Sequence, residues 1–414
     1  MLALVFFATT INYMDRILFS VLIPVIRVDL HIDNEAYGYI NGAFQLTYTI
    51  GFLFMGKFID RFGTKLGYAV SIIWWSVAAM CHAISSGLLS LGFWRGMLGL
   101  GEAGNFPAAI KSVAEWFPKK DRAFATGIFN AGTNVASMIG PPLFVWITAM
   151  VGWRACFLMT SSLGFVWLVA WLLYYRLPNS HPGVGHAELN YIHSYEVEGT
   201  TEPSISWSQA LAYKQTWGFG LAKFLTDPVW WFYLYWLPPY LYDVRKFDLT
   251  QIGWALPVVY LMADFGSVGG GWLSGYLIRR GWPNGRARKA TMGLCAGLMP
   301  VAAMSALAGN TVLAIALVSL ATSAHQGWSA NLYTTTSDIF PKNATASVTG
   351  IGGCMGGIGG FLFSAVIPGY VVTHFGYTPM ILMMGTFHLM ALLVVHVTLG
   401  DMRPLRITSE AGVS

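Results

Sequence analysis

The chain has few charged residues: only 10% of its 414 residues are Asp, Glu, Lys or Arg, whereas 55% are hydrophobic. A water-soluble globular protein carries roughly 25% charged residues. Many apolar stretches also reach the about 20 residues that a helix needs to cross the hydrocarbon core of a bilayer. The composition therefore excludes a soluble domain and predicts a protein that spans a membrane many times.

Cysteine is scarce as well. The chain has four cysteines, Cys81, Cys156, Cys295 and Cys354. Their unrelated spacings within apolar stretches predict neither a disulfide framework nor a metal site.

A cleavable signal peptide is not expected, because Asp15 and Arg16 interrupt the first apolar stretch and no basic leader precedes it. The net charge of +5 arises from short loops, so we expect no nucleic-acid partner.

Twelve apolar segments are long enough to be membrane-spanning helices. We place them at residues 2–27, 37–58, 66–86, 88–112, 122–149, 154–176, 216–243, 251–278, 288–308, 311–338, 346–372 and 377–400. With both termini on the cytoplasmic side, 16 of the 24 Lys and Arg residues fall in cytoplasmic segments and four on the opposite side. This excess agrees with the positive-inside rule. The chain begins almost directly with the first span, which leaves room for a longer native N-terminus.

An internal repeat divides these spans into two halves. The tripeptide FPK at 117–119 recurs at 340–342, and GKFIDRFG at 56–63 has a decayed copy, GYLIRRG, at 275–281. Two similar offsets predict a duplicated unit, hence an all-α membrane protein of two six-helix pseudo-repeats. The expected domains are an N-terminal six-helix bundle, a cytoplasmic linker, a C-terminal six-helix bundle and a cytoplasmic tail, at residues 1–176, 177–215, 216–402 and 403–414.

The segment GKFIDRFGTK at 56–65 fits a loop motif of the major facilitator superfamily, Gly-x-x-x-Asp-Arg-x-Gly-x-Lys. The predicted gating-loop residues are Gly56, Asp60, Arg61 and Gly63. The glycines are expected to allow a close helix approach and a tight turn, and Asp60 to cap a helix or form an ion pair. The alternative is an ordinary basic loop. The motif indicates the fold and not the substrate.

Charged side chains inside the predicted spans each need a partner, a wet cavity or a function. Asp15 and Arg16 are adjacent in span 1, while Arg95 and Glu102 share one face of span 4. In a functional interpretation, Asp15 and Glu102 carry protons beside the two arginines. In a structural interpretation, the four side chains only hold spans 1 and 4 together.

The C-terminal half contains a second group of charges. Lys223 and Asp227 are one helical turn apart in span 7, so we expect them to pair. Lys223 is also the only cation in the core of that half, which makes it a candidate partner for a substrate carboxylate. Asp264, which precedes a glycine-rich run in span 8, has either a functional or a structural role, and we expect the structural one, a bond to a neighbouring helix.

Polar and aromatic residues at compatible positions complete a predicted cavity. Amides can bind pairs of hydroxyl groups, and aromatic faces can pack on the C–H surfaces of a sugar. The predicted substrate-binding residues are Tyr13, Arg16, Tyr48, Thr133, Asn134, Lys223, Trp230, His325, Gln326 and Asn331, with Trp231 beside them. Each of these residues on its own is typical of a residue that only packs between helices. Together with the cations, they indicate a polyhydroxylated anion as the substrate.

Several longer segments resemble the anion:cation symporter family within the major facilitator superfamily. They are NYMDR at 12–16, the Arg95 and Glu102 pair, EWFPKKDRAFATG at 115–127 and SDIFPKN at 337–343. IGPPLFVW at 139–146, KFLTDPVWWFYLYWLPPYL at 223–241, ADFGSVGGG at 263–271 and SAHQ at 323–326 look most like bacterial hexuronate transporters. The resemblance covers nearly the whole chain.

The resemblance implies proton-coupled symport of a hexuronate, such as glucuronate or galacturonate, into the cell. It implies Asp15 and Glu102 as protonation sites, Arg16 and Arg95 as their charge partners, and Tyr13, Tyr48 and Arg16 as substrate contacts. H⁺ would be the coupling ion, without a cofactor or metal. We expect a monomer in the lipid bilayer of the bacterial inner membrane.

Three alternatives remain open at this stage. The first is symport of an aldonate such as galactonate, because a related galactonate-type transporter has glutamines at the positions of Thr133 and Lys223. The second is organophosphate exchange with Arg16 and Lys223 as a phosphate clamp. The third is a receptor that binds a sugar acid without moving it. An enzyme is not expected, because the sequence has no nucleophile–base pair, metal-ligand cluster or phosphate loop.

Overall fold

The computed structural model describes residues 1–118, 121–193, 207–340 and 342–405. The regular structure of these residues is helical, as expected where backbone polar groups must be satisfied inside a membrane. The chain divides into a first unit, residues 1–200 and 241–257, and a second unit, residues 201–240 and 258–414. The predicted linker and tail lie partly outside the described residues, so the predicted domain borders stay a prediction.

The first unit begins with the N-terminal helices. They are α1 (Leu2–Leu30), α2 (Asn34–Phe62), α3 (Thr64–Met80), α4 (Leu88–Glu102), α5 (Asn105–Trp116), α6 (Arg122–Tyr174) and α7 (His186–His193). Only Ala103 and Gly104 separate α4 from α5, so these two helices together make one span. The long helix α6 is broken at Gly152, where φ is 84° and ψ is 164°. This break separates the predicted spans 5 and 6.

The remaining helices belong largely to the second unit. They are α8 (Trp207–Leu211), α9 (Lys214–Asp243), α10 (Leu249–Arg279), α11 (Asn284–Ala303), α12 (Thr311–Ile339), α13 (Lys342–Gly360), α14 (Ile367–Phe375) and α15 (Tyr377–Leu399). A π-helical segment, Phe361–Val366, joins α13 to α14 in one span. Residues 241–257, at the end of α9 and the start of α10, are part of the first unit.

The described residues thus contain a helical segment for each of the twelve predicted spans. By length and apolar composition alone, seven helices of the described residues qualify as membrane spans, and α6 is one of them although it contains two. Helices α2, α9 and α12 do not qualify, and they carry polar residues such as Gln45, Lys223 and Gln326. Polar residues in a span lower its hydropathy and at the same time mark it as a candidate for function.

Turns that contain a glycine with a positive φ occur at matching places in the two halves, as the sequence repeat predicts. Gly63 between α2 and α3 has a φ of 82°, and Gly281 between α10 and α11 has a φ of 89°. Gly152 within α6 has a φ of 84°, and Gly376 between α14 and α15 has a φ of 76°. A positive φ strongly favours glycine, so these four positions are fixed by backbone geometry. Their matching places in the two halves confirm the duplicated six-helix unit.

Helices α2 and α4 approach each other closely at Gly99. A Cβ atom on Gly99 would lie 2.5 Å from the carbonyl oxygen of Phe44 and 2.5 Å from Oγ1 of Thr47. Oγ1 of Thr47 donates a hydrogen bond of 2.7 Å to the carbonyl oxygen of Gly96, which ties the two helices together. Gly99 lies between Arg95 and Glu102 on α4, so this approach fixes the positions of both charged side chains.

Replacing Gly99 with alanine should lower the unfolding temperature of the purified protein, because the added Cβ forces α2 and α4 apart. The matched control is Gly92→Ala on the same helix, where a Cβ would have no atom within 4 Å. Gly92→Ala should leave the unfolding temperature unchanged or raise it, since alanine in a helix is favoured over glycine by about 0.5–1 kcal/mol. Equal unfolding temperatures for the two variants would contradict the proposed contact.

Candidate functional site

Four ionisable side chains meet in the interior of the first unit. Asp15 and Arg16 come from α1, Arg95 and Glu102 come from α4, and each is at most 1% exposed. Nε of Arg16 donates a hydrogen bond of 2.8 Å to Oε2 of Glu102, which makes a buried ion pair between the two helices. One terminal nitrogen of Arg95 donates to the main-chain carbonyl oxygen of Arg16 at 2.8 Å. The structure therefore brings the predicted cluster together.

The partner of Asp15 is a residue that the sequence did not indicate. Oδ1 of Asp15 accepts a hydrogen bond of 2.8 Å from Oγ of Ser161, which lies in α6 beyond the break at Gly152. Oδ2 of Asp15 has no hydrogen-bond partner among the described residues. A serine within an apolar span is common, so only the fold could reveal this contact.

Aromatic rings surround the guanidinium groups. The guanidinium carbon of Arg16 lies 4.7 Å from the ring centroid of Tyr13 and 4.5 Å from that of Tyr48. Phe44 lies against both arginines, 5.3 Å from Arg16 and 4.8 Å from Arg95. Ring faces stabilise a cation by about 2 kcal/mol or more where water is excluded. The two half-buried tyrosines thus lie against Arg16, and their predicted contact with substrate stays a prediction. The sequence analysis did not single out Phe44, because a phenylalanine in an apolar span is typical of a core residue.

Thr133 and Asn134 are neighbours on α6. Oγ1 of Thr133 donates to the carbonyl oxygen of Asn130 at 2.8 Å and is 3.1 Å from Oδ1 of Asn134. These contacts stay within α6 and do not by themselves join the two side chains to the Arg16–Glu102 pair. Their predicted role in substrate binding stays a prediction.

In the second unit, Lys223 forms the expected ion pair with Asp227. Nζ of Lys223 lies 2.7 Å from Oδ2 of Asp227 and 2.8 Å from the hydroxyl oxygen of Tyr333. The same Nζ lies 4.2 Å from the centroid of the Tyr333 ring. The side chain of Lys223 is 3% exposed, whereas that of Asp227 is 20% exposed. Lys223 is thus already neutralised, and a ligand anion would have to compete with Asp227 for it.

A stack of rings lies elsewhere in the second unit. The ring of Trp230 stacks on that of His325, with 5.9 Å between centroids and 13° between planes. Nδ1 of His325 lies 3.2 Å from Nε2 of His388, so the two buried imidazoles share a hydrogen bond. This bond orients the ring of His325 against Trp230. His388 on α15 was missed, because a single histidine in an apolar span carries no spacing signal.

The two amides predicted for the second unit differ in their surroundings. Asn331 is fully buried, and its Nδ2 donates to the carbonyl oxygens of Gly270 at 3.0 Å and Gly327 at 2.9 Å. Its amide nitrogen is therefore used to join α10 and α12. Gln326 is half-buried on α12, next to His325.

Asp264 does not bond a neighbouring helix as expected. It is half-buried and makes no hydrogen bond or ion pair with any other residue that the structure describes. The reason is that Gly270, and not Asp264, lies on the face of α10 that meets α12, where its carbonyl oxygen accepts from Asn331. The expectation for Asp264 was therefore wrong.

The predicted gating loop joins α2 to α3. Oδ1 of Asp60 forms an ion pair of 2.8 Å with Nζ of Lys111 on α5, and the guanidinium carbon of Arg61 lies 5.6 Å from the Phe62 ring centroid. Gly63 provides the tight turn through its positive φ. A Cβ added to Gly56 would have no atom of the described residues within 4 Å, so this glycine makes no close helix approach there.

The described residues contain no group of three or more His, Cys, Asp or Glu side chains that could hold a metal ion. The chemistry available in both units is instead that of buried ion pairs, hydrogen-bonded carboxylates and aromatic surfaces. Such groups can exchange protons and bind an anion, but they provide no activated nucleophile.

Two duplicated six-helix units with ion pairs buried inside membrane spans define a multi-pass membrane transporter. The chain belongs to the Major Facilitator Superfamily, whose family model matches residues 5–364. This family consists of transporters and not of enzymes. The predicted family and twelve-span fold are thereby confirmed.

Curated relatives cover nearly the whole chain. The chain is 32% identical to the hexuronate transporter of Escherichia coli K12 over 416 residues, which is 99% of this chain and 96% of that protein. It is 33% identical to the galacturonate transporter of Dickeya chrysanthemi over 66% of this chain and 80% of that protein. It is 29% identical to the D-galactonate transporter of Escherichia coli O6:H1 over 97% of this chain and 95% of that protein.

Among solved structures, the chain is similar to a bacterial homologue of the human lysosomal transporter Spinster in an inward-facing, unoccupied conformation. The TM-score is 0.78 at 17% sequence identity, over 99% of this chain and 98% of that chain. At this identity the similarity shows the fold alone.

Replacing Asp227 with asparagine should lower the unfolding temperature, because it leaves Lys223 buried without its counter-charge. The upper limit of this cost is about 3–5 kcal/mol, the value for breaking a buried pair. Asp227 remains partly exposed, which reduces the cost. The control is the double variant Lys223→Met with Asp227→Met, which removes both charges and should unfold at a higher temperature than Asp227→Asn. A double variant less stable than the single one would contradict this account.

Proposed function

We propose that the protein is a secondary active transporter that couples the uptake of a sugar-acid anion to the uptake of protons by alternating access. The proposed substrate is a hexuronate such as glucuronate or galacturonate, and the proposed location is the bacterial inner membrane with both termini cytoplasmic. The observation that carries this proposal is the buried Arg16–Glu102 ion pair beside Asp15. The names of the most similar relatives support the choice of substrate class.

The ion pair links proton binding to anion binding. A proton on Glu102 neutralises the carboxylate and removes the counter-charge of Arg16. Removing one partner of a buried pair costs about 3–5 kcal/mol if nothing replaces it. A substrate carboxylate replaces it, so a proton on Glu102 and an anion at Arg16 each strengthen the binding of the other. Thermodynamic linkage of this kind is what a symporter requires.

Asp15 is the second proposed proton carrier. Its carboxyl group is buried and receives the single hydrogen bond from Ser161, while Oδ2 has no partner among the described residues. A buried ionised carboxylate with so few partners is costly, whereas the protonated form is not. We therefore assign Asp15 as a second position at which a proton is bound and released. It is adjacent to Arg16 and so lies close to the proposed anion site.

The number of protons that accompany each substrate anion determines the driving force for substrate accumulation. A difference of one pH unit supplies about 1.4 kcal/mol per proton. If one proton accompanies a monovalent anion, transport is electroneutral and the membrane potential does not contribute. If two protons accompany it, one net positive charge moves inward, and the potential adds about 2.3 kcal/mol per 100 mV.

The side chains around Arg16 suit a sugar acid. Tyr13 and Tyr48 are half-buried and cover the guanidinium, so they offer ring faces and hydroxyl groups next to the proposed carboxylate site. The second unit, taken by itself, contains the Trp230–His325 ring stack and a Lys223 that is paired with Asp227. Aromatic faces with hydroxyl donors are suited to a ring that carries many hydroxyl groups.

Glu102→Gln should abolish proton-driven accumulation in sealed proteoliposomes and leave exchange intact. An inward gradient of one pH unit should drive accumulation of labelled glucuronate by the wild type up to about tenfold per coupled proton. The variant cannot release and rebind a proton beside Arg16, so the linkage between proton and anion binding is lost even if Asp15 still exchanges protons. Its accumulation should therefore stay near equilibrium while counterflow continues. Wild-type accumulation by Glu102→Gln would rule out Glu102 as a proton carrier.

The matched control is Glu115→Gln on α5. Oε1 of Glu115 accepts from Thr64 at 2.7 Å, and Oε2 accepts from Tyr175, so this carboxylate has partners that do not depend on a proton cycle. It should retain gradient-driven accumulation. Unlabelled galacturonate, galactonate and a phosphorylated sugar, added as competitors in the same assay, distinguish a hexuronate carrier from an aldonate or organophosphate carrier.

A further inference from the structure

A basic cleft lies on the first unit between the α2–α3 turn and the end of α6. Its volume is about 540 Å³, and its lining includes Lys65, Lys111 and Arg176. The leucines in its wall are open to the surroundings: Leu66 is 51% exposed and Leu172 is 47% exposed. This first basic cleft therefore joins cations to an apolar surface.

Two of the three cations in the first basic cleft are available to a ligand. The side chains of Lys65 and Arg176 make no hydrogen bond or ion pair with any residue in the described ranges, whereas Lys111 is paired with Asp60. Glu115, the acidic residue in the lining, already accepts hydrogen bonds from Thr64 and Tyr175. An anion in this cleft would therefore meet positive charge.

A second basic cleft lies between the α10–α11 turn and the end of α15. Its volume is about 560 Å³, and its lining includes Arg286, Lys289, His396, Trp282, Leu389 and Leu393. Trp282 is 46% exposed and Leu393 is 66% exposed. Asp401 lies near Lys289 but forms an ion pair of 3.2 Å with Arg403.

The two clefts occupy equivalent places in the repeat. Each adjoins the turn made by a positive-φ glycine, Gly63 in the first unit and Gly281 in the second. Each is completed by the last span of its own half, namely the end of α6 or the end of α15. The individual cations differ between the clefts, yet each cleft contains at least two lysine or arginine side chains beside exposed leucines. The positive-inside rule explains basic residues near these turns, and the recurring feature here is that they line a cleft with apolar walls.

We propose that each basic cleft binds one anionic phospholipid. The lysine and arginine side chains contact the phosphate and headgroup, and the acyl chains lie along the exposed leucines. Basic pockets between membrane helices are known to suit anionic headgroups, and exposed aromatic residues such as Trp282 suit the membrane interface. A soluble phosphate ester would satisfy the cations but leave the leucines uncovered. Lipid binding at the two clefts does not depend on the transported substrate.

The test is native mass spectrometry of the purified full chain equilibrated with phosphatidylglycerol or with phosphatidylethanolamine. The wild type should retain two phosphatidylglycerol molecules more tightly than any further ones, and no phosphatidylethanolamine in their place. Each cation near an anionic lipid strengthens binding about fivefold, so removing two should weaken binding at one cleft about 30-fold. Lys65→Gln with Arg176→Gln should therefore lose one tightly bound lipid, and Arg286→Gln with Lys289→Gln should lose the other.

The control is Arg279→Gln with Arg280→Gln, which removes the same charge near the α10–α11 turn from side chains that line neither cleft. This variant should retain both lipids, and so should the charge-preserving Lys65→Arg with Arg176→Lys. Equal lipid loss in the Arg279 and Arg280 variant would show a general charge effect and overturn the proposal. So would retention of both lipids by the two cleft variants, or displacement of phosphatidylglycerol by millimolar glycerol phosphate.

Discussion

The first unit depends on one buried ion pair, between Arg16 and Glu102. Arg16 and Glu102 are both fully buried and join α1 to α4 through a bond of 2.8 Å. A charge at the centre of a membrane span costs about 2.5–3.5 kcal/mol even on mild scales. Each of the two residues therefore requires the other, and any event that neutralises one of them changes the energy of the other. A proton on Glu102 would neutralise its carboxylate, and the carboxylate of a ligand would then serve as the counter-charge of Arg16.

The side chains and helices around the Arg16–Glu102 pair limit how far its two members can move when a proton or an anion binds. Rings of Tyr13, Tyr48 and Phe44 lie against the guanidinium, so ring faces as well as Glu102 stabilise its positive charge. The close approach of α2 and α4 at Gly99 fixes the part of α4 that carries Arg95 and Glu102. In the second unit, Lys223 is neutralised within its own helix by Asp227. The two units thus hold their buried charges differently, although they share one architecture.

The fold could be predicted from the sequence because its signals are repeated many times. The lengths of the apolar segments indicate twelve spans, the loop charges indicate their orientation, and the copied FPK segment indicates two halves. The positive-φ turns at Gly63 and Gly281 agree with the duplication. The intramembrane charges were equally visible, since a charge in an apolar run stands out.

The hydrogen-bond partners of the buried polar groups were less predictable. Ser161, Tyr333 and His388 are ordinary residues in apolar spans, and only the packing of distant helices brings them to Asp15, Lys223 and His325. Asp264 was misjudged for the same reason, because the sequence does not show which face of α10 meets α12.

The most direct test of the central claim is the number of protons taken up when the substrate binds. Isothermal titration calorimetry of glucuronate binding, repeated in buffers with different ionisation enthalpies, measures this number for the purified protein. Linked binding at the Arg16–Glu102 pair predicts uptake of about one proton or more per substrate at a pH where Glu102 is ionised before binding, and a weaker affinity as the pH rises. Tight binding with no proton uptake at any pH would contradict the account.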